Sequence, residues 1–247
     1  MFDLDERDRV REFVLDKAAA DPRVVAAAVV GSFARGTSDR YSDLDLTFAV
    51  ADDVPVADVL ADWGTTMGDE FDAVQVLDLE VGPTIYRVFM LPDLLQVDLS
   101  FTPAAQFAPR GPAFQIVFGE AGEMPKRVAR TAEDIFGWGV VHGIHAWRCV
   151  ERARPIQAVH HIGATREHAL MLACLRRGLD PDERSWDRLP DEVRDGVAAG
   201  LAHSLEPKEL LRAVAGALDF LFSESEAVGG AAPRLEPALR DLVKARA

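Results

Sequence analysis

Short apolar and β-rich runs follow one another through the first half of the chain, and such runs are typical of buried strands. They predict strands at 24–30, 43–50, 71–79, 84–90, 94–101 and 114–118. Helical spacing of the apolar residues predicts two helices, at 5–20 and 54–67. The β-rich runs on either side of the turn at 91–93 indicate a hairpin, because this short turn contains a proline.

The pattern changes after about Pro125, where helical periodicity replaces the strand-like runs. It predicts helices at 126–152, 156–177, 187–203 and 207–226. Prolines at helix starts and Gly178 at a helix end support these boundaries. We therefore expect an α+β fold with two domains, a catalytic domain at 1–122 and a helical-bundle domain at 123–247.

Charge narrows the range of partners. The chain has 247 residues and a formal net charge of −14. Proteins that bind nucleic acid neutralise phosphates with Lys and Arg, so this charge argues against a nucleic-acid partner. It favours a cationic small substrate, although an acidic surface also serves solubility alone.

The cysteines and histidines predict no disulfide framework and no zinc site. Cys149 and Cys174 lie in apolar helical stretches and are interpreted as reduced core residues. Four histidines lack the spacing of zinc ligands and are interpreted as packing or surface residues. They are His142, His145, His160 and His161. We also expect no signal peptide and no membrane-spanning helix. The lack of a disulfide framework fits a cytoplasmic protein.

The segment from Val30 to Leu46 carries the most specific chemical signal. Gly31 and Ser32 end an apolar strand, and Asp43 and Asp45 follow on the next strand. Glycine permits close backbone approach, and a helix starting at Ser32 would direct free N–H groups at an anion. The two aspartates point to one face of their strand, where a divalent cation such as Mg²⁺ relieves their repulsion.

A third carboxylate is expected from a neighbouring strand. Asp98 lies between Val97 and Leu99 in an otherwise apolar run. A buried acid is costly unless it is paired or bound to a metal. We therefore predict that Asp98 completes the metal site.

This pattern resembles the signature of the DNA polymerase β-like nucleotidyltransferase superfamily. That signature is a hydrophobic-Gly-Ser turn, about ten residues, an Asp-hydrophobic-Asp motif and a later acid on a strand. Gly31, Ser32, Asp43, Asp45 and Asp98 match it position by position. The helical second half looks like the aminoglycoside and lincosamide nucleotidyltransferases. The resemblance implies a small mixed sheet flanked by helices, followed by a helical bundle.

The resemblance also implies further site residues. Gly31, Ser32, Arg35 and Ser42 are the candidate nucleotide-binding residues. Asp43, Asp45 and Asp98 are the candidate catalytic and metal-binding residues. In the helical half the candidates for acceptor binding are Glu151, Arg166 and Glu167, with an ion pair as the alternative for the last two.

The implied reaction is magnesium-dependent nucleotidyl transfer, with two Mg²⁺ ions as cofactors. A nucleoside monophosphate, AMP from ATP or another triphosphate, passes to a hydroxyl of a small acceptor. An aminoglycoside-like antibiotic is the leading acceptor. The alternatives are nucleotidylation of a protein, as in toxin–antitoxin systems, and a non-catalytic nucleotide-binding module.

Overall fold

The computed structural model describes residues 2–126 and 129–244, with side chains of the last helix described up to position 241. Its contacts divide the chain into two compact units, Met1–Arg127 and Val128–Ala247. The first unit is a mixed sheet with helices and the second is helical, which confirms the predicted α+β class. None of the helices in the described part of the chain is long and apolar enough to cross a membrane.

The first unit contains six strands and three α-helices among its described residues. The strands are β1 (Val24–Val30), β2 (Leu44–Val50), β3 (Val74–Val81), β4 (Thr84–Met90), β5 (Gln96–Pro103) and β6 (Phe114–Phe118). The helices are α1 (Leu4–Ala20), α2 (Gly31–Ala34) and α3 (Val56–Phe71). The strands form one sheet in the order β3-β4-β5-β2-β1-β6. Strands β2 and β5 pair in parallel, and the other neighbours pair antiparallel.

Helices α1 and α3 pack on one face of this sheet. Both helices place one apolar side against the inward residues of the central strands. The ring of Trp63 lies 5.1 Å from that of Phe48 and 5.2 Å from that of Phe101, measured between centroids. These aromatic contacts hold α3 against strands β2 and β5. The side chains that alternate with this buried row, including Asp45 and Asp98, therefore lie on the opposite face of the sheet.

The second unit contains the remaining helices of the described chain. They are α4 (Ala132–Glu151), α5 (Pro155–Arg176), α6 (Glu183–Trp186), α7 (Asp191–Ala199), α8 (Pro207–Ser223) and α9 (Ala231–Lys244). Helices α4 and α5 form a hairpin, and α8 packs against both. Gly139 and Gly143 of α4 allow this approach, since a β-carbon at either position would collide with Leu221 or Leu218 of α8.

Several predicted boundaries shift in the structure, although the predicted elements form. The predicted helix at 187–203 is shorter, because Pro190 caps α7 and cannot continue a helix from the preceding residues. The helix predicted at 126–152 begins at Ala132, where Thr131 accepts a capping hydrogen bond from the Asp134 N–H. Positions 127 and 128 of that prediction lie outside the described residues. The hairpin of β4 and β5 agrees with the prediction.

Candidate functional site

Asp45 and Asp98 face each other across two neighbouring parallel strands. The register of β2 against β5 pairs Asp45 with Asp98, and Leu46 with Leu99. Asp43 lies directly before β2, two residues from Asp45. One carboxylate oxygen from each of the three aspartates lies within 4.8 Å of the others. The structure thus brings together the three acids that the sequence pattern selected.

The surroundings of Asp98 change the acidity of its carboxyl. Burial raises the pKa of its carboxyl above the usual range, and the nearby Asp43 raises the same pKa further. The side-chain amide of Gln96 opposes both effects, because it donates to the two carboxylate oxygens at 3.0 and 3.1 Å. A divalent cation would also favour the ionised carboxylate, because it places positive charge beside it.

Gly31 touches the acidic cluster from the end of β1. Its φ angle is +66°, a left-handed conformation that favours glycine. A β-carbon at this position would lie 2.0 Å from the Oδ2 atom of Asp45. The glycine therefore meets two demands at once, a tight turn and a close approach to a candidate metal ligand.

Two serine hydroxyls near this turn are buried without a hydrogen-bond partner inside the described ranges. They belong to Ser32, in the one-turn helix α2, and to Ser38, in the loop that follows. A buried hydroxyl normally finds a partner, because leaving it unpaired is costly. Both groups are suited to donate to a phosphate oxygen, which is the role predicted for Ser32.

The loop between α2 and β2 is tied to the first helix. Arg7 of α1 is buried and donates to the Asp39 carbonyl oxygen at 2.6 Å. The Asp39 carboxylate accepts hydrogen bonds from the Tyr41 N–H and the Ser42 hydroxyl at 2.9 and 3.1 Å, and these bonds lower the Asp39 pKa. Ser42, predicted to bind nucleotide, thus bonds to its own loop, whereas Arg35 is exposed.

The acceptor candidates lie apart from one another in the helical unit. Glu151 ends α4, next to Arg148 and Arg152, whereas Arg166 and Glu167 lie in the middle of α5. Arg166 is about 16 Å along α5 from its first residue, at a rise of 1.5 Å per residue. Burial lowers its pKa, and the neighbouring Glu167 raises it. The structure therefore does not bring Glu151 together with this pair.

Gln96 and Ser38 were missed from the sequence, although a signal existed for each. Gln96 precedes Asp98 by two residues, so both side chains lie on one face of β5. Ser38 lies in the loop between the two halves of the motif. Neither residue type is specific enough to be selected without the fold.

The histidines of α4 and α5 form a cluster that the sequence did not predict. The Nδ1 atoms of His142 and His161 lie 3.0 Å apart, at hydrogen-bond distance. The rings of His145, His160 and His168 each lie within about 5.5 Å of one of these two, measured between centroids. Burial and the neighbouring histidines lower the pKa of both His142 and His161.

Part of the first unit is similar to a known family of domains. Residues 7–81 match the family model described as the nucleotidyltransferase domain. This segment contains Gly31, Ser32, Asp43 and Asp45, and the match confirms the resemblance that the motif predicts. No curated protein matches the chain.

Two solved structures are similar to this chain over most of its length. An aminoglycoside 6-adenyltransferase from Bacillus subtilis is 12% identical, with a TM-score of 0.37, over 96% of this chain and 94% of that one. A nucleotidyltransferase-like protein from Exiguobacterium sibiricum is 15% identical, with a TM-score of 0.43, over 88% of this chain and 75% of the other.

Proposed function

We propose that this chain, which carries a nucleotidyltransferase domain, transfers AMP from ATP to a hydroxyl group of a small acceptor with the help of Mg²⁺. The observation that carries the proposal is the convergence of Asp43, Asp45 and Asp98, whose carboxylate oxygens lie within 4.8 Å of one another. Oxygen ligands at this spacing fit magnesium, which binds proteins through a few carboxylates together with substrate phosphates.

In this proposal each side chain has a defined task. Asp43 and Asp45 would hold the magnesium, and Asp98 would bind it as well. When bound, the metal supplies charge neutralisation of the phosphates and of the attacking and leaving oxygens. The Ser32 hydroxyl, buried and unpartnered among the described residues, donates to a phosphate oxygen, with Ser38 as a second donor.

The reaction balances as an in-line displacement at the α-phosphorus. The acceptor hydroxyl oxygen forms the new bond to phosphorus, and the bond to the β-phosphate oxygen breaks, so that pyrophosphate leaves. Asp98 takes the hydroxyl proton. Gln96 holds the Asp98 carboxylate in place through its two hydrogen bonds. Most of the rate enhancement comes from positioning and charge neutralisation.

The acceptor is proposed to be an aminoglycoside-like polycation. The net charge of −14 supports it, because an acidic protein attracts a cationic substrate. Arg35 and Ser42 are retained as proposed nucleotide contacts, and Glu151, Arg166 and Glu167 as proposed acceptor contacts. Glu167 is exposed on α5 and is the acid to test first.

The experiment is an assay with ATP labelled at the α-phosphate, with Mg²⁺, and with a panel of aminoglycosides, lincosamides and whole lysate. Mass spectrometry should find a nucleotide-sized addition on a small molecule, and EDTA should abolish it. Label on a lysate protein instead would support nucleotidylation of a protein. Nucleotide binding without any labelled product would support a non-catalytic module.

A further inference from the structure

The end of the α4–α5 hairpin carries a dense group of basic side chains around a cavity of about 210 Å³. The polar residues that line this cavity are His145, Arg148, Arg152, Arg154, Gln157 and His161. Within the described parts of the chain, no carboxylate lines it. A cavity with three guanidinium groups is unexpected in a protein whose net charge is −14.

Helical spacing places the basic residues at the end of α4, together with its C-cap residue Arg152, on one side. His145, Arg148 and Arg152 follow each other at intervals of three and four residues, the spacing that aligns side chains along a helix face. Cys149 lies between them and packs in the cavity wall, where its thiol contacts the Gln157 amide oxygen at 3.8 Å. That contact uses the amide oxygen of Gln157 and not its nitrogen, which is the donor that an anion needs.

The backbone adds to the positive potential at the end of the hairpin where α4 turns into α5. The carbonyl oxygens of Arg148, Cys149 and Val150, at the negative end of α4, accept hydrogen bonds from N–H groups of the turn. The N-terminus of α5 has no such compensation, since its capping residue Arg154 makes no side-chain hydrogen bond to it. A helix N-terminus carries partial positive charge, and α5 is 22 residues long.

Some arginines of this unit are paired with acids. Arg176 and Arg177, further along α5, form ion pairs with Glu224. Arg148, Arg152 and Arg154 take part in none of the ion pairs between residues described by the structure.

We propose that this cavity binds a phosphate-bearing small molecule. Guanidinium forks match the geometry of phosphate oxygens, and three of them around one cavity favour a ligand with more than one negative charge. Inorganic pyrophosphate is the simplest such molecule and fits the scale of the cavity. The proposal concerns residues of the helical unit and does not rest on the nucleotidyl-transfer reaction, although pyrophosphate is also the leaving group of that reaction.

The test is calorimetric titration of the full chain with inorganic pyrophosphate in EDTA at low salt, which excludes binding as a metal complex. Arg148→Gln/Arg152→Gln should weaken binding by about tenfold or more, because charge-assisted hydrogen bonds to phosphate are lost. Added salt should weaken binding to the wild type by screening. Titration with ADP then tests whether the ligand is a free phosphate compound or a nucleotide. Equal affinity for ADP and pyrophosphate means that phosphate alone is recognised, and tighter binding of ADP means that the nucleoside adds contacts.

A surface control makes the result specific. Arg184→Gln/Arg234→Gln removes the same charge from exposed positions outside the cavity and should leave the affinity unchanged. The proposal is overturned if the wild-type protein does not bind pyrophosphate, or if the cavity variant and the surface variant weaken binding equally.

Discussion

Gly31 and Asp45 lie so close together that a β-carbon on residue 31 would come within 2.0 Å of the Asp45 Oδ2 atom. The turn after β1 and the first acidic residue of β2 therefore form one structural unit. Any side chain at position 31 must displace a carboxylate of the proposed metal site. This contact gives the first prediction a clear physical basis.

Gly31→Ala should reduce nucleotidyl transfer by about 100-fold, since small displacements of catalytic groups have effects of this size. Gly36→Ala is the matched control, because Gly36 has a φ of +68° but a β-carbon there would meet nothing within 4 Å. Both variants should lose roughly 1–2 kcal/mol of stability from the left-handed backbone. Initial rates and urea melts measure the two effects, and equal activity losses in both variants would refute the contact argument.

Asp43→Asn should lower transfer by about 100-fold or more, the scale seen when one preorganised electrostatic group is removed. The metal-free variant should melt about 1–3 °C higher, because the charge that repels Asp98 is gone. Asp53→Asn, at an exposed position after β2, is the control and should change neither quantity. A parallel titration with ATP should show tight binding only with Mg²⁺; equal affinity in EDTA would contradict the metal site.

Gln96→Ala should move the acid limb of the pH–rate profile to higher pH. The Gln96 amide lowers the Asp98 pKa, so its removal raises that pKa and leaves less ionised base at a given pH. Gln115→Ala, on the exposed strand β6, serves as the control. The profile of kcat/KM against pH is the measurement. An unchanged acid limb would mean that Asp98 is not the general base.

The histidine cluster should make stability fall as the solution becomes acidic. His142 and His161 have pKa values below the ordinary 6.5 in the folded chain. As pH falls through 6.5, the unfolded chain gains protons that the folded chain resists, so the free energy of unfolding decreases until the folded histidines are also protonated. Above that range both states are neutral at these positions and the effect is absent.

Urea melts at about pH 7.5 and about pH 5.5, on either side of the ordinary histidine pKa, test this with His161→Gln as the variant. The variant should show a smaller loss of stability on acidification than the wild type. His203→Gln, at an exposed position outside the cluster, should behave as the wild type. An identical pH dependence in all three proteins would show that the cluster does not control acid stability.

The sequence by itself determined the strand that presents the first two acids. Asp43 and Asp45 alternate with Leu44 and Leu46, and a period of two separates a charged face from a buried one. Glycine and serine before them predicted a tight turn, which the structure has as α2. These features follow from local stereochemistry, which is why they were visible without the fold.

The sequence pattern predicted the ends of helices and strands less accurately than their positions. Pro190 stops a helix that apolar spacing alone extends from 187 to 203. Strand β3 begins at Val74, later than predicted, because α3 continues to Phe71 and ends in the left-handed residue Asp72. Helix ends depend on capping geometry, which periodicity does not encode.

The sequence selected Asp98 as the third acid, but only the tertiary structure decided which residue it lies opposite and which other distant residues meet. The parallel register of β2 and β5 places Asp98 opposite Asp45, and pairing between strands far apart in sequence leaves no periodic signal in either. The antiparallel packing of α4 and α5 likewise brings His142 to His161, and its closed end gathers Arg148 and Arg154 around one cavity. Each of these sites arises from the relative placement of two elements, which depends on core packing and not on the local sequence of either element.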